Sequence, residues 1–191
     1  MILNFSRNIK TQAVLVLALL SLIQAAVAYA EGEYKLNPGD QLEVSVWNEE
    51  ALQRAITVLP DGKVSLPLVG HVMAAGRTAA QLEELITSKL SNFIAEPEVN
   101  VSVTSTSGNI VFVVGQVNQP GPYVMTRSTT AIQALAMAGG LTEFASGNSI
   151  KIIRKREQSG LTLKVRYSDL QKGSNLSTNH VLMSGDVIVV P

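Results

Sequence analysis

Leu-x-x-Gly-Asp occurs twice in this chain, each time running straight into a β-leaning stretch. Leu36-Asn37-Pro38-Gly39-Asp40 precedes Gln41–Val46, and Leu182-Met183-Ser184-Gly185-Asp186 precedes Val187–Val190. Gly accepts the positive φ of a tight turn, and Asp can bond its own backbone two residues on. The phrase is therefore a strand-launching turn, and it commits both ends of the folded region to β structure. Pro60-Asp61-Gly62 is a third turn whose residue types each fit their places. It follows the apolar stretch Ile56–Leu59, and Val64-Ser65-Leu66 is expected to return from it as a hairpin. Asp40, Asp61 and Asp186 all stand beside Gly, so backbone bonding accounts for them better than acid or base chemistry.

Period and caps place the remaining elements. Leu42, Val44 and Val46 alternate with Glu43 and Ser45, one face against the other. Gly70–Met73 reads as a short strand. Thr78-Ala79-Ala80-Gln81 has the form of a capping box, and Leu82, Leu85, Ile86, Leu90 and Phe93 then fall on one helical stripe. Pro97 stops that helix, and Val99, Val101 and Val103 alternate with Asn100, Ser102 and Thr104 as a strand.

Ser105–Asn109 is a polar connection. Beyond it, the unbroken apolar run Ile110–Val114 reads as a central strand, and Thr130-Ala131-Ile132-Gln133 opens a second capped helix that Gly139-Gly140 ends. Ile150–Ile153 and Leu161–Val165 form a hairpin around Gln158-Ser159-Gly160, and Ser168–Thr178 is polar and irregular. Mixed strands with one helix per half predict an α+β fold of two small domains, residues 31–106 and 107–191.

Residues 1–30 stand apart. Arg7 and Lys10 precede the apolar run Ala13–Ile23, and Ala28-Tyr29-Ala30 offers small residues where a signal peptidase reads. This is a secretory signal peptide with cleavage before Glu31; the rival is a retained anchor, for which 18 residues is near the short limit. Losing Arg7 and Lys10 leaves an excess of two acids. The one dense basic cluster, Lys151–Arg156, alternates with isoleucines like a solvated strand face, so nucleic-acid binding has little support. The chain has no Cys, which rules out both a disulfide and a lipid on an N-terminal Cys.

Chemistry-bearing motifs are sparse. His71 and His180 are the only histidines, and neither has a Ser, Asp or Cys at a telling spacing. No His or Cys pair has the spacing of a zinc site. Gly139-Gly140 follows a helix, whereas a phosphate loop precedes one. No catalytic residue, cofactor or metal ligand is therefore assigned. Trp47, the only Trp, and Tyr123 are candidates for stacking on a sugar ring, with a core or interface role as the plainer alternative.

Taken in order, these motifs resemble a known family. Leu36–Asp40 with Leu42, Val44 and Trp47, then Leu59-Pro60-Asp61-Gly62, Leu66–Gly70, the helix Thr78–Phe93 and Pro97–Val101 are similar to the polysaccharide biosynthesis/export domain. Val114-Gly115-Gln116-Val117, Pro120–Tyr123, Ala138–Leu141, Ile152-Ile153-Arg154 and Leu182–Pro191 resemble a soluble-ligand-binding β-grasp (SLBB) domain. The resemblance implies a periplasmic, ring-forming protein that conducts capsular polysaccharide or exopolysaccharide toward the outer membrane and catalyses nothing. It also implies an inner-membrane polysaccharide co-polymerase, often a tyrosine kinase, as partner. The best-known members are lipoproteins, and they carry further SLBB domains and a C-terminal membrane helix. This sequence stops at Val190-Pro191, so the expectation is a conduit that relies on a separate outer-membrane β-barrel.

Two rivals stand beside the export reading. One is a monomeric periplasmic glycan-binding module, with Trp47, Tyr123 and Tyr167 stacking on sugar. The other is a secreted polysaccharide hydrolase, which needs paired carboxylates across a cleft, and the sequence places no partner for the adjacent Glu49 and Glu50. In a ring, the polar strand face Asn100, Ser102 and Thr104 would suit the lumen or an interface; a plain solvated face is the simpler account of the same residues.

Overall fold

Alternation dictates the first sheet. In the computed structural model, which describes residues 33–155 and 160–191, Gln41–Val46 forms β1 with Leu42, Val44 and Val46 buried. β1 pairs antiparallel with β2 (Arg54–Thr57) on one side and with β5 (Val99–Ser105) on the other, giving the order β2-β1-β5. The proposed signal peptide and its cleavage positions Ala28, Ala30 and Glu31 lie outside the described residues, as do Gln158 and Ser159.

The Pro60-Asp61-Gly62 turn forms, but the strand after it pairs elsewhere. Gly62 N–H donates to Leu59 O at 2.8 Å, and Leu59 N–H to Lys63 O at 2.8 Å. Beyond that Leu59–Lys63 bond, β3 (Lys63–Leu66) pairs with β4 (Gly70–Met73), while Ile56 and Thr57 belong to β2 and pair with β1. The turn thus passes the chain from the sheet to a separate hairpin, a choice that local turn chemistry does not encode.

Helix α1 (Ala79–Leu90) begins as its cap predicts. Thr78 Oγ1 accepts from Gln81 N–H at 3.2 Å, and Gln81 Oε1 accepts from Thr78 N–H at 3.1 Å. Its buried stripe is Leu82, Ile86 and Leu90, each burial worth roughly 1.5–3 kcal/mol. Phe93 is not on that stripe: the helix ends one turn earlier and Phe93 is 62% exposed. α1 packs on β5, where Glu83 Oε1 accepts the Val101 N–H at 2.8 Å. A carboxylate thus occupies a backbone donor at the outer edge of this sheet. Thr78→Ala, which removes the cap oxygen, should lower stability by about 1 kcal/mol in thermal melts, with Thr78→Ser recovering most of it.

The second half is a five-stranded sheet in the order β7-β6-β10-β8-β9. Its strands are β6 (Ile110–Gly115), β7 (Gly121–Val124), β8 (Ile150–Lys155), β9 (Gly160–Val165) and β10 (Val187–Val190). The closing strand lies in the middle, parallel to β6 and antiparallel to β8. β6 is an interior strand as its apolar run predicts, but only one of its faces is covered. Val111 and Val113 are fully buried, whereas Phe112 and Val114 are 42% and 40% exposed. Gly115 permits the approach of the final strand: a Cβ there would sit 1.9 Å from Val190 O.

Helix α2 (Ala131–Met137) covers the other face. Ala131, Ala134, Leu135 and Ala138 form one core with Val111, Val113, Ile150, Ile152, Ile188 and Val190. Thr130 N–H donates to Gln133 Oε1 at 2.8 Å at its start. At its end Gly140 N–H reaches Leu135 O and Gly139 N–H reaches Ala136 O, the Schellman pattern, with both glycines at positive φ. Ser168–Thr178 is more ordered than its polarity suggests. It holds part of a short helix, α3 (Tyr167–Gln171), and a 3₁₀ turn at Leu176–Thr178, anchored by buried Leu170. The whole is α+β, two mixed halves each with its own sheet and helix.

Candidate functional site

Both Gly-Asp turns carry a fully buried carboxylate. Asp40 Oδ2 accepts the Asn37 N–H at 2.7 Å, and Asp186 Oδ2 accepts the Met183 N–H at 2.9 Å. Each Asp thus closes its own turn through backbone bonding, but by reaching three residues back; the expected bond two residues on is made by Asp61 instead. Their second bonds differ, and these decide what each turn does for the molecule.

Asp40 joins the halves. Its Oδ1 accepts the Gly108 N–H at 3.0 Å, across 68 residues. Gly108 lies so close that a Cβ would fall 2.3 Å from Pro38 O. From the other side, Ser184 Oγ donates to Gly108 O at 2.8 Å, and Gly185 N–H donates to Ile110 O at 2.8 Å. The polar connection that reads as a loop is thus gripped by both Gly-Asp turns, and residues 35–191 form a single unit.

Asp186 instead takes a cation. Arg154 Nε and Nη2 donate to its two oxygens at 2.8 and 2.6 Å, and Nη2 also donates to Val181 O at 2.9 Å. The pair is nearly dry, and the bonds to Asp186 raise the Arg154 pKa above arginine's ordinary value. This corrects one reading of the basic cluster. Arg154 is not part of a solvated face: it points to the core side of β8, while Lys151, Ile153 and Lys155 face outward. Asp61 is exposed; its carboxylate accepts the Lys63 N–H at 3.1 Å, which lowers its pKa.

The aromatic candidates separate. Trp47 is 79% exposed, just past the end of β1, where its backbone N–H donates to the Glu98 backbone O at 2.9 Å. It stands at an open hollow of about 870 Å³ with Asn48, Glu49, Glu50, Glu98 and Asn100. Asn48 reaches this place in the left-handed region, φ 62°. Tyr123 is not in this hollow. Its ring is partly buried against the second core and its hydroxyl donates to Gln119 O. Tyr167 packs on the same core.

Sequence spacing could not find Glu98, which the β1–β5 pairing brings beside Glu49 and Glu50. A glycosidase pair works inside a cleft that the sugar fills, but Glu50 and Glu98 face solvent around an open hollow. His71 is exposed on β4, and His180 lies at 3.2 Å from Lys164 O through Nε2. Among the described residues no group of His, Asp and Glu is gathered that could hold a metal ion. Nor is any helix among them long and apolar enough to cross a membrane, which leaves strands that cross as a β-barrel unaddressed.

Comparison with known proteins follows the same division. Residues 28–104 match the family described as polysaccharide biosynthesis/export protein, and residues 109–190 match the SLBB domain. The chain is 36% identical over 160 residues to the polysialic acid transport protein KpsD of Escherichia coli, covering 83% of this chain and 28% of that protein. It is 31% identical over 142 residues to the exopolysaccharide production protein ExoF of Rhizobium meliloti, covering 69% and 34%. Against the capsule polysaccharide export outer membrane protein CtrA of Neisseria meningitidis it is 25% identical over 176 residues, covering 81% and 43%. The chain spans less than half the length of each of these relatives. With both of its folded halves matched in order, it belongs to the polysaccharide biosynthesis/export family, carrying one export domain followed by one SLBB domain.

Proposed function

We propose that this protein is a periplasmic component of a capsule or exopolysaccharide export channel, assembling with copies of itself into a conduit associated with the outer membrane. Domain boundaries near residues 106 and 107 belong to the same reading. Its role is passage, not catalysis: the polymer slides along the wall, and no bond is made or broken. An inner-membrane polysaccharide co-polymerase is the expected partner on the supply side.

One observation carries the structural side of this reading. The connection between the two domains is not a free linker but a backbone-to-backbone contact at Gly39 and Gly108, pinned by Asp40 and Ser184. A ring wall needs subunits whose two parts hold a fixed angle, and a loose linker would let each subunit find a different one. The exposed polar face of β5 suits a hydrated polymer. Thr104 Oγ1 donates to Gln41 O at 3.1 Å and Ser102 Oγ to Asn100 Oδ1 at 3.1 Å, so this face presents hydroxyl and amide groups.

Deleting the gene in its host should remove polysaccharide from the cell surface, with polymer retained inside the outer membrane. Staining of surface glycan together with assay of the periplasmic fraction checks this. Unchanged surface polysaccharide counts against the export role. Polymer absent from both compartments places the protein in synthesis instead.

A further inference from the structure

Phe112, Val114, Val187, Val189 and Ile153 make one apolar stripe on the face of the five-stranded sheet that α2 leaves bare. The register fixes this. Phe112 pairs with Val187 and Val187 with Ile153, and Val114 pairs with Val189, so all five project to the same side. Phe112, Val114 and Ile153 are each 40–45% exposed. Contiguous apolar surface of this kind marks an interaction site.

Lysines flank the stripe. Val189 pairs with Lys151, and Lys151 pairs with Lys164 on β9. Like charges placed directly opposite across strands are destabilising. Among the described residues neither lysine has an ion-pair partner. The face therefore asks for an occupant with an apolar centre and an acidic rim.

The same chain presents that complement elsewhere. Trp47 stands 79% exposed beside Glu49, Glu50 and Glu98, and no Lys or Arg lines that hollow among the described residues. It cannot reach the sheet face of its own chain by local bending. The domain junction meets β1 at Asp40, whereas Trp47 follows its far end at Val46. Six residues of strand put about 20 Å between them. The β5 edge, the other natural meeting place, has a donor already taken by Glu83.

We propose that the Trp47 end of one copy docks on the lysine-flanked sheet face of the next, head to tail. Trp47 supplies the apolar anchor on the valine and phenylalanine stripe, and Glu49, Glu50 and Glu98 answer Lys151 and Lys164. Two different patches meeting in this way form a heterologous contact, which closes into a ring when the rotation between copies permits. This rests on the oligomeric conduit of the preceding section and assigns it an interface. A hydrated glycan fits the sheet face less well: an acidic polymer could answer the lysines, but its hydroxyl-covered surface leaves the central apolar stripe of Phe112, Val114, Val187, Val189 and Ile153 unmatched.

The test is sedimentation velocity of the purified full chain over a range of concentrations, read together with the emission of Trp47, the only Trp. Assembly of the native protein should move that emission to the blue. Glu49→Lys/Glu50→Lys/Glu98→Lys, and separately Lys151→Glu/Lys164→Glu, should each weaken association at least tenfold. Mixing the two variants, or combining all five changes in one chain, restores complementary charge and should restore assembly. If the triple variant does not fold, the exposed Lys151→Glu/Lys164→Glu pair still gives the reading. Assembly equal to native in the reversed variants, or an unmoved Trp47 emission on assembly, overturns the interface and leaves the conduit standing. A native protein that stays monomeric throughout overturns both. Quenching of Trp47 by oligosaccharide in a protein that never assembles assigns the residue to glycan instead, and overturns the interface as well.

Discussion

Gly108→Ala should uncouple the two domains while leaving each one folded. The added Cβ would meet Pro38 O at 2.3 Å, with Asp40 N and Oδ1 both at 2.9 Å. These are backbone and buried carboxylate atoms, so no flexible side chain is available to yield. Overpacking against well-held neighbours costs about 1–3 kcal/mol, and a collision with rigid backbone lies at the upper end. The Asp40–Gly108 bond would go with it, since the connecting turn at Gly108 must move away to relieve the contact. For a chain of this size a loss of about 3 kcal/mol lowers Tm by roughly 6–12 °C. Scanning calorimetry should show one transition for the native protein and two for the variant, because each half keeps its own sheet and core. A native melting profile in this variant would show that the junction does not couple the domains. If the conduit reading is right, the same variant should also fail to restore surface polysaccharide in a deletion strain, although both domains remain present.

The second large effect is at Arg154. Arg154→Met leaves the Asp186 carboxylate, 1% exposed in its side chain, without a cation. Removing one partner of a buried pair costs about 3–5 kcal/mol, because the remaining charge has lost its compensation but stays desolvated. Denaturant unfolding should show that loss in the midpoint. Replacing both residues, as Arg154→Met/Asp186→Leu, should cost less than the sum of the two single changes, because no uncompensated charge is left. Full additivity would mean that the pair is not coupled. The pH range follows from the arginine. Its folded-state pKa is raised by the bonds to Asp186, so on the Arg154 side the contribution is fully present below arginine's ordinary value. It is lost only as pH rises through the higher folded value, far into alkali. Across neutral pH the closing strand therefore keeps its anchor to β8.

That anchor explains why the last residues of the chain matter to the fold. β10 is the central strand of the second sheet, so the sheet is complete only when Val187–Val190 lies between β6 and β8. The contact with β6 depends on Gly115, and the turn that launches β10 depends on Asp186 and Arg154. A phrase legible at the end of the sequence thus controls the centre of a domain.

Much of this was legible beforehand. The alternation in Gln41–Val46 and Val99–Thr104, the two Thr-to-Gln helix starts and the double glycine at 139–140 each act over a few residues, and each formed as its local chemistry requires. The α+β class and the order of family motifs followed from them. The helix overran on paper because Phe93 keeps the helical spacing, yet the chain leaves the helix after Leu90 and the side chain projects into solvent. Val64-Ser65-Leu66 pairs with Gly70–Val72 beyond the Leu59–Lys63 bond, because a turn specifies a reversal, not which neighbour has an edge to spare. Tyr123 and Trp47 looked alike as aromatics, and only packing separates the half-buried ring from the exposed one.

By itself, then, the sequence determined what short-range forces can determine: strand and helix periods, their caps and turns, and the family those motifs spell out in order. The tertiary structure alone decided the long-range pairings. It gave Asp40 to Gly108 across 68 residues and Asp186 to Arg154 across 32, brought Glu98 beside Glu49 and Glu50, and left Phe112 and Val114 bare where the apolar run implied burial. The reason is physical. A turn or a cap is set by the backbone preferences and hydrogen bonds of adjacent residues, whereas a partner many residues away is chosen by which surfaces remain unburied once the sheets have closed.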